Sequence, residues 1–298
     1  MKKSLILSLI ACALIACEGN DSLNDGPTAS KDVKYVIESG VQIIYQENQY
    51  DGWDALYKNV YEREEDLKLI KSISFYKDDV LTGKQIYQHD GNKQISWLEG
   101  VESNYDTIIW YDEERTKPLE QRSAYGSTYY QYDKKHRLIN KKSYYLMTIW
   151  ENDKPLQKTM LQAESNYTYS GLICNAETKA YNPSHFQQTG ELIVQSTATE
   201  SITYKDNSFT DCTSADYESV DTYGFKSVSH TTQEFVKEGL SKYEYTSQSF
   251  NPDGSEYNNS HGIAEYTWQD ELNVTYHTKS YTDDVLIQEY KGYTKYVK

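Results

Sequence analysis

The side chains able to do chemistry are sparse and scattered. Six histidines stand at 89, 136, 185, 230, 261 and 277, with no HExxH and no spaced pair that would grip a metal. No CxxC, GxSxG elbow, glycine-rich phosphate loop or calcium-loop spacing is present, so the sequence assigns no catalytic residue, no metal ligand and no cofactor. The adjacent acids Asp78-Asp79 and Asp283-Asp284 are the nearest approach to a glycosidase carboxylate pair. Neighbours on a strand face opposite ways, however, and both pairs fall in expected turns. Cys174 and Cys212 are an even pair in the body of the chain. Outside the cytoplasm their spacing admits a disulfide worth roughly 3–4 kcal/mol in the chain-entropy picture, and equally two separate buried thiols. Trp53, Trp97, Trp110, Trp150 and Trp268 are either glycan-stacking platforms or fillers of a packed face.

The elements that would position these groups read as strands. Residues 126–145, GSTYYQYDKKHRLINKKSYY, alternate, break at Asp133–Arg137 and run on from Leu138, giving strand, turn, strand. Weaker copies lie on both sides. Lys34–Gln46 reads as a strand, and Asp51–Leu69 as a strand with a short helix as the alternative. Turns are expected at Lys77–Asp79, His89–Asn92, Glu151–Lys154, Tyr204–Asn207, Gln269–Glu271 and Asp283-Asp284. Asn251-Pro252-Asp253-Gly254 carries type I turn preferences. Asp112–Pro118 and Asn182–Gly190 read as loops.

Composition narrows the class. The 298 residues include 30 Tyr but only six Phe and three Met, so a core of Leu, Ile and Phe is thinly supplied and a sheet faced with Tyr fits better. The net charge of -15 repels phosphate backbones, which argues against a nucleic-acid partner.

The N-terminus, MKKSLILSLIACALIAC, has two lysines and then an apolar run too short to span a bilayer. Leu14-Ile15-Ala16-Cys17 resembles the lipobox of bacterial lipoproteins. That resemblance implies removal of residues 1–16 and acylation of Cys17, hence a membrane partner reached through lipid. The alternative is an ordinary secretory signal cleaved near Ala11 or Ala13. Residues 17–32 read as a flexible acidic tether, loosely similar to the surface-export signals of Bacteroidetes lipoproteins, and 33–298 as the ectodomain. Asp21-Ser22-Leu23 and Asp106-Thr107-Ile108 resemble O-glycosylation acceptors of that lineage.

Tyr130-Gln131-Tyr132-Asp133-Lys134-Lys135-His136-Arg137-Leu138 resembles the RHS or YD repeat, with His136 where that motif has Gly. Phe75–Trp97 looks similar to MORN-type β-repeats. Both resemblances imply a meandering antiparallel sheet and no activity. The expectation is therefore an all-β ectodomain, an elongated open sheet of strand-turn-strand repeats, on an outer-membrane or cell-surface lipoprotein. Its role is a non-catalytic binding or structural module with a glycan or envelope protein as partner. The alternatives are a periplasmic-facing anchor, an envelope hydrolase whose carboxylates come from distant strands, and a spacer or immunity-like partner protein.

Overall fold

A computed structural model describes residues 35–46, 49–50, 55–64, 69–101, 105–112, 115, 117–151, 154–209, 211–237, 239–269 and 273–297. The signal sequence, Cys17, the tether and Trp53 lie outside the described residues. The first strands are β1 (Tyr35–Gln46), β2 (Gln49–Tyr50), β3 (Ala55–Arg63), β4 (Ile70–Lys77), β5 (Val80–Asp90) and β6 (Lys93–Leu98). Next come β7 (Tyr105–Trp110), β8 (Pro118–Ser123), β9 (Gly126–Tyr132), β10 (Leu138–Glu151), β11 (Lys154–Ser170) and β12 (Ile173–Tyr181). The helix α1 (Pro183–Thr189) precedes β13 (Val194–Tyr204), β14 (Cys212–Asp221), β15 (Lys226–Phe235) and β16 (Leu240–Phe250). The last three are β17 (Glu256–Trp268), β18 (Val274–Thr282) and β19 (Val285–Val297).

Asp51–Leu69 thus supplies strand β3, not a helix. Asn182–Gly190 is not a plain loop. Asn182 accepts the His185 amide at 3.0 Å as N-cap, Pro183 opens the helix, and Gly190 ends it at φ 75. Strand β8 has no counterpart in the sequence reading, because Pro118 at its head and only six residues hid it.

Each strand from β4 onward pairs antiparallel with its predecessor, and β2 pairs only with the end of β1. The open sheet is the expectation that fails. β1 pairs with β3 on one side and with β19 on the other, from Tyr35↔Val297 to Ile44↔Gln288. Eighteen strands therefore close into an antiparallel barrel, with β2 outside the ring. An open sheet leaves a row of unpaired amides and carbonyls along each edge, and closure pairs them. The seam is built for close approach. Gly40 faces Gly292, the Tyr290 ring occupies the space a Gly40 Cβ would take, and the Tyr276 ring does the same at Gly292. Tyr276 stacks on Tyr290 with ring centroids 5.5 Å apart, and Tyr266 meets Tyr276 at 6.0 Å.

Alternation divides the wall into two faces of opposite character. Register places Cys174, Ile202, Ala215 and Thr231 in one row, all nearly inaccessible. One residue along, Asn175, Ser201, Asp216 and His230 form the opposite row, with the Asp216 side chain 70% and the His230 side chain 50% exposed. Side chains on a concave wall converge and those on a convex wall splay, so the crowded row is the inner one. The inner face carries Ser, Ala, Gly and tyrosine rings. Burial opposes ionisation of Tyr61, Tyr132, Tyr169, Tyr266 and Tyr276, all on that face. The outer face carries ion pairs between neighbouring strands: Lys142–Glu164 at 3.0 Å, Lys226–Glu218 at 2.9 Å and His277–Glu289 at 2.6 Å.

Candidate functional site: outer groove and distal rim

The residues singled out from the sequence do not converge. His89 Nε2 lies 2.7 Å from the Ile70 carbonyl, His230 pairs with Asp216 at 2.7 Å, His261 stacks on Tyr281, and His277 meets Glu289. Among the described residues no cluster of His, Cys, Asp and Glu is arranged to hold a metal. Asp78, Asp79, Asp283 and Asp284 all have positive φ, between 48 and 61, and make the β4–β5 and β18–β19 turns. Asp79 pairs with Lys58 at 3.2 Å. They are turn residues rather than a carboxylate pair.

Cys174 and Cys212 do meet in one cluster, with Ile202 and Ala215. Both are buried and they are not joined to each other, because β13 runs between the strands that carry them. Two strand spacings, about 10 Å, exceed the Cα separation that a disulfide spans. Burial pushes the Cys174 thiol up to about 11. Thr107 of the second glycosylation-like tripeptide is buried in β7, so the folded chain does not present it. Trp110 is buried, and Trp268 lies against Gly239 with its indole N–H donating to Leu240 at 2.9 Å. Those two tryptophans fill the wall, while Trp97 is half-buried in β6 and Trp150's side chain lies outside the described residues.

The repeat-like stretch is turn chemistry. Asp133 accepts the amides of Lys135 and Arg137 at 2.8 and 3.0 Å, and its carboxylate holds the Arg137 guanidinium at 2.7 Å. These contacts lower the Asp133 carboxyl to about 2. His136, at the place where the motif has Gly, takes φ 59, a left-handed conformation that His tolerates better than most side chains. Arg137 then lies over the Tyr169 ring at 4.5 Å.

Two features are suited to binding. The first is an open groove of about 640 Å³ on the outer wall across β12–β16. It runs between two outward-facing rows, one with Asp216 and His230 and the other with Glu177 and Glu218, with the row of Ala176, Glu200 and Tyr217 between them. The Glu200 side chain belongs to the inner face by alternation, and burial there pushes its carboxyl up to about 7, offset in part by Lys141.

The second feature is a rim. Tyr35 and Val297 share one end of the barrel, the proximal rim. The distal rim carries a crown of exposed apolar side chains: Val80, Leu98, Tyr105, Tyr125, Ile193 and others, with Tyr125 67% and Tyr223 71% exposed. Fewer such side chains, Tyr111, Leu119, Ile173 and Val236, stand near the proximal end. Within the crown, Phe225 and Tyr257 meet edge to face at 6.3 Å. Gly224, at φ 88, lets the 222–225 turn lie against Pro252 of the next distal turn. Asp221 caps its own turn by accepting the Tyr223 and Phe225 amides, both at 2.9 Å. Sequence reasoning looked to tryptophan and missed these residues. The available signal was aromatics placed inside turns, as in Thr222-Tyr223-Gly224-Phe225, where a solvated loop would carry only polar side chains.

No protein-family model matches the sequence, and no curated protein matches it. Solved barrels resemble the chain's path. A mutant of Rh. blastica porin superposes with TM-score 0.44 at 8% identity, covering 89% of this chain and 99% of that one. A triple mutant of Rhodopseudomonas blastica porin gives TM-score 0.42 at 7% identity, covering 89% and 99%. A porin-like protein from Bacteroides uniformis gives TM-score 0.38 at 9% identity, covering 88% and 96%.

Proposed function

We propose that the chain is a lipid-anchored lipoprotein of the cell envelope, held at the outer membrane or cell surface through Cys17, whose barrel is a non-catalytic binding module for glycan. The observation that carries this reading is the pairing of a charged outer wall with an apolar aromatic crown at the rim away from the chain ends. Transmembrane barrels carry an apolar outer band about 25 Å tall, and a lysine at its midplane costs roughly 2–4 kcal/mol. Lys142, Lys226, Lys242 and Lys279 stand at different heights on this wall, so no placement of such a band avoids them all, each adding a cost that falls from that value to roughly 0–1 kcal/mol near the band's edges. Such a wall belongs in water, so membrane attachment falls to an acyl chain. The lipobox-like Leu14–Cys17 supplies the site for one.

Tyr223, Phe225 and Tyr257 offer apolar faces with polar edges, the combination that stacks on sugar rings while hydroxyls and turn carboxylates bond their edges. A hydrolase is less well supported, since glycosidic cleavage needs two carboxyls facing one bond, and of the acids that line the groove Asp216 is paired with His230 and Glu218 with Lys226. The test has two arms. Intact mass of the native protein, with Cys17→Ala as control, reads loss of residues 1–16 and addition of acyl chains; an unacylated product overturns the anchor. Glycan-array binding, compared with the Tyr223→Ala/Tyr257→Ala double variant, is expected to fall at least about tenfold. Equal binding by the variant overturns the rim as the contact surface.

A further inference from the structure

The barrel mouth holds a third opening, apart from both the outer groove and the Tyr223 turn. A cavity of about 480 Å³ lies at the distal ends of β7, β8, β9 and β10. Two register rows frame it. Ser123, Gly126 and Tyr145 form one, with Asp106 of β7 beside it, and Gln121, Thr128 and Ser143 form the other. Both are inner rows. Thr178 shares the face of Cys174, Thr178 pairs with Ser165, Ser165 pairs with Lys141, and the next same-side residue of β10 is Ser143. Gly126 leaves a gap in the first row. A Cβ there would collide with the Tyr144 carbonyl oxygen, so β9 meets β10 as bare backbone. The β10–β11 register shifts between Ser143 and Tyr144, an irregularity of the kind that re-aims side chains beside a site. Past Tyr145, β10 continues to Glu151 with no β9 residue opposite, so the β10–β11 hairpin stands over the opening as a back wall.

The groups lining this cavity match a polyol. Tyr130 donates to Gln121 Oε1 at 2.8 Å, which fixes that amide, and the Gln121 N–H groups have no partner among the described residues. The Asp106 carboxylate has none among them either, and Arg122, the one cation in the lining, is held by Glu120 at 2.9 Å. The Thr128 and Ser143 hydroxyls bond each other at 3.1 Å, and Tyr145 and Tyr125 stay exposed. We propose that this cavity seats a neutral hexose unit, with Asp106 and Gln121 bonding adjacent hydroxyls and Tyr145 lying against the C–H face of the ring. A carboxylate accepts from two neighbouring hydroxyls, an amide N–H donates to their oxygens, and an exposed tyrosine covers the apolar side of the sugar. The volume suits a small ligand, and barrel mouths are a favoured place for one. An anionic sugar would meet Asp106 and the chain's net charge of -15. The site goes beyond the rim reading, because β11, β12 and β13 lie between β10 and the strands that carry Tyr223 and Tyr257.

The test is saturation-transfer NMR on the full chain with three probes: methyl α-D-glucopyranoside, methyl α-D-mannopyranoside and methyl β-D-galactopyranoside. At least one is expected to bind saturably, and the charged methyl β-D-glucuronide is expected not to. Asp106→Ala and Tyr145→Leu are each expected to weaken that binding at least about tenfold, the scale of one lost charge-assisted bond or ring contact. The Tyr223→Ala/Tyr257→Ala double variant is expected to keep it. Absence of saturable binding by all three neutral glycosides overturns the proposal, as does equal binding by Asp106→Ala or by the glucuronide. Loss in the Tyr223→Ala/Tyr257→Ala variant with retention in Asp106→Ala assigns the sugar to the rim and overturns this site while the rim reading stands. Far-UV circular dichroism of each variant establishes that any loss is not unfolding.

Discussion

Replacing Glu200 by Gln is expected to stabilise the barrel above neutral pH and to leave its stability unchanged in acid. Glu200 sits on the inner wall between Ala176 and Tyr217 without a hydrogen-bond donor among the described residues, and burial lifts its carboxyl from an ordinary value of 4.5 to about 7. The folded chain thus keeps this proton to higher pH than the unfolded chain does. Stability contributed at this position falls as pH rises from about 4.5 to about 7, and the whole penalty is present above that range. A displacement of this size corresponds to roughly 3 kcal/mol as an upper value, because the side chain is only partly buried. Gln keeps the shape and removes the charge. Urea denaturation of wild type and Glu200→Gln at pH 8.5 and pH 4 isolates the term, since groups common to both chains cancel in the difference. The variant is expected to gain about 1–3 kcal/mol at pH 8.5 and nothing measurable at pH 4. A variant equally stable at both pH values, or destabilised at pH 8.5, would refute the argument that this carboxylate is held on the inner wall at the expense of the fold.

At the closing seam, Gly292→Ala puts a Cβ 2.8 Å from both the Ser39 carbonyl and the Tyr276 ring. A loss of about 1–3 kcal/mol is expected by denaturation, whereas Gly83→Ala, with its nearest atom 3.8 Å away on Phe75, should cost far less. Thiol counting in denaturant without reductant is expected to find Cys174 and Cys212 both free, and in the native state neither should react readily at pH 8; a mass two daltons lower than the dithiol would sink this. Asn182→Ala removes the side-chain acceptor of the His185 amide and should cost about 1 kcal/mol, read as faster amide exchange confined to α1.

The local hairpins were legible in the sequence and the ring was not. Asp133–Arg137, Gly91-Asn92 and Asn251–Gly254 announce turns through residues that accept tight or left-handed backbone, and all three are turns. Alternation announces strands, and β9, β10 and β19 are strands. But alternation is the same in an open and a closed sheet, and nothing local marks β1 as a partner of β19. The one local trace is that Gly40 and Gly292 stand in otherwise regular strands, where a glycine signals close approach of another group. Glu200 was invisible for a related reason. Its burial comes from Ala176 and Tyr217 on neighbouring strands, and no spacing along Thr199-Glu200-Ser201 encodes it.

The two faces of the wall decide how the barrel meets a membrane. In a barrel that lies in lipid the outward side chains are apolar and the lumen is polar. Here the outer wall is charged: the lysine and glutamate pairs of β10–β11 and β14–β15 point outward, while Tyr276 of β18 and Tyr290 of β19 cover seam glycines on the inside. Tyrosine is what makes the inner arrangement workable, because its ring covers a glycine backbone and its hydroxyl still finds a partner, as Tyr61 does on Glu38 at 2.7 Å and Tyr132 on the Pro118 carbonyl at 2.8 Å. A core of Phe or Leu on this scale would collapse the ring or seal it, whereas hydroxyl-tipped rings leave a wettable wall in which a carboxylate such as Glu200 is tolerated. The abundance of Tyr over Phe therefore follows from lining the inside of so many closed strands with rings that keep a polar tip.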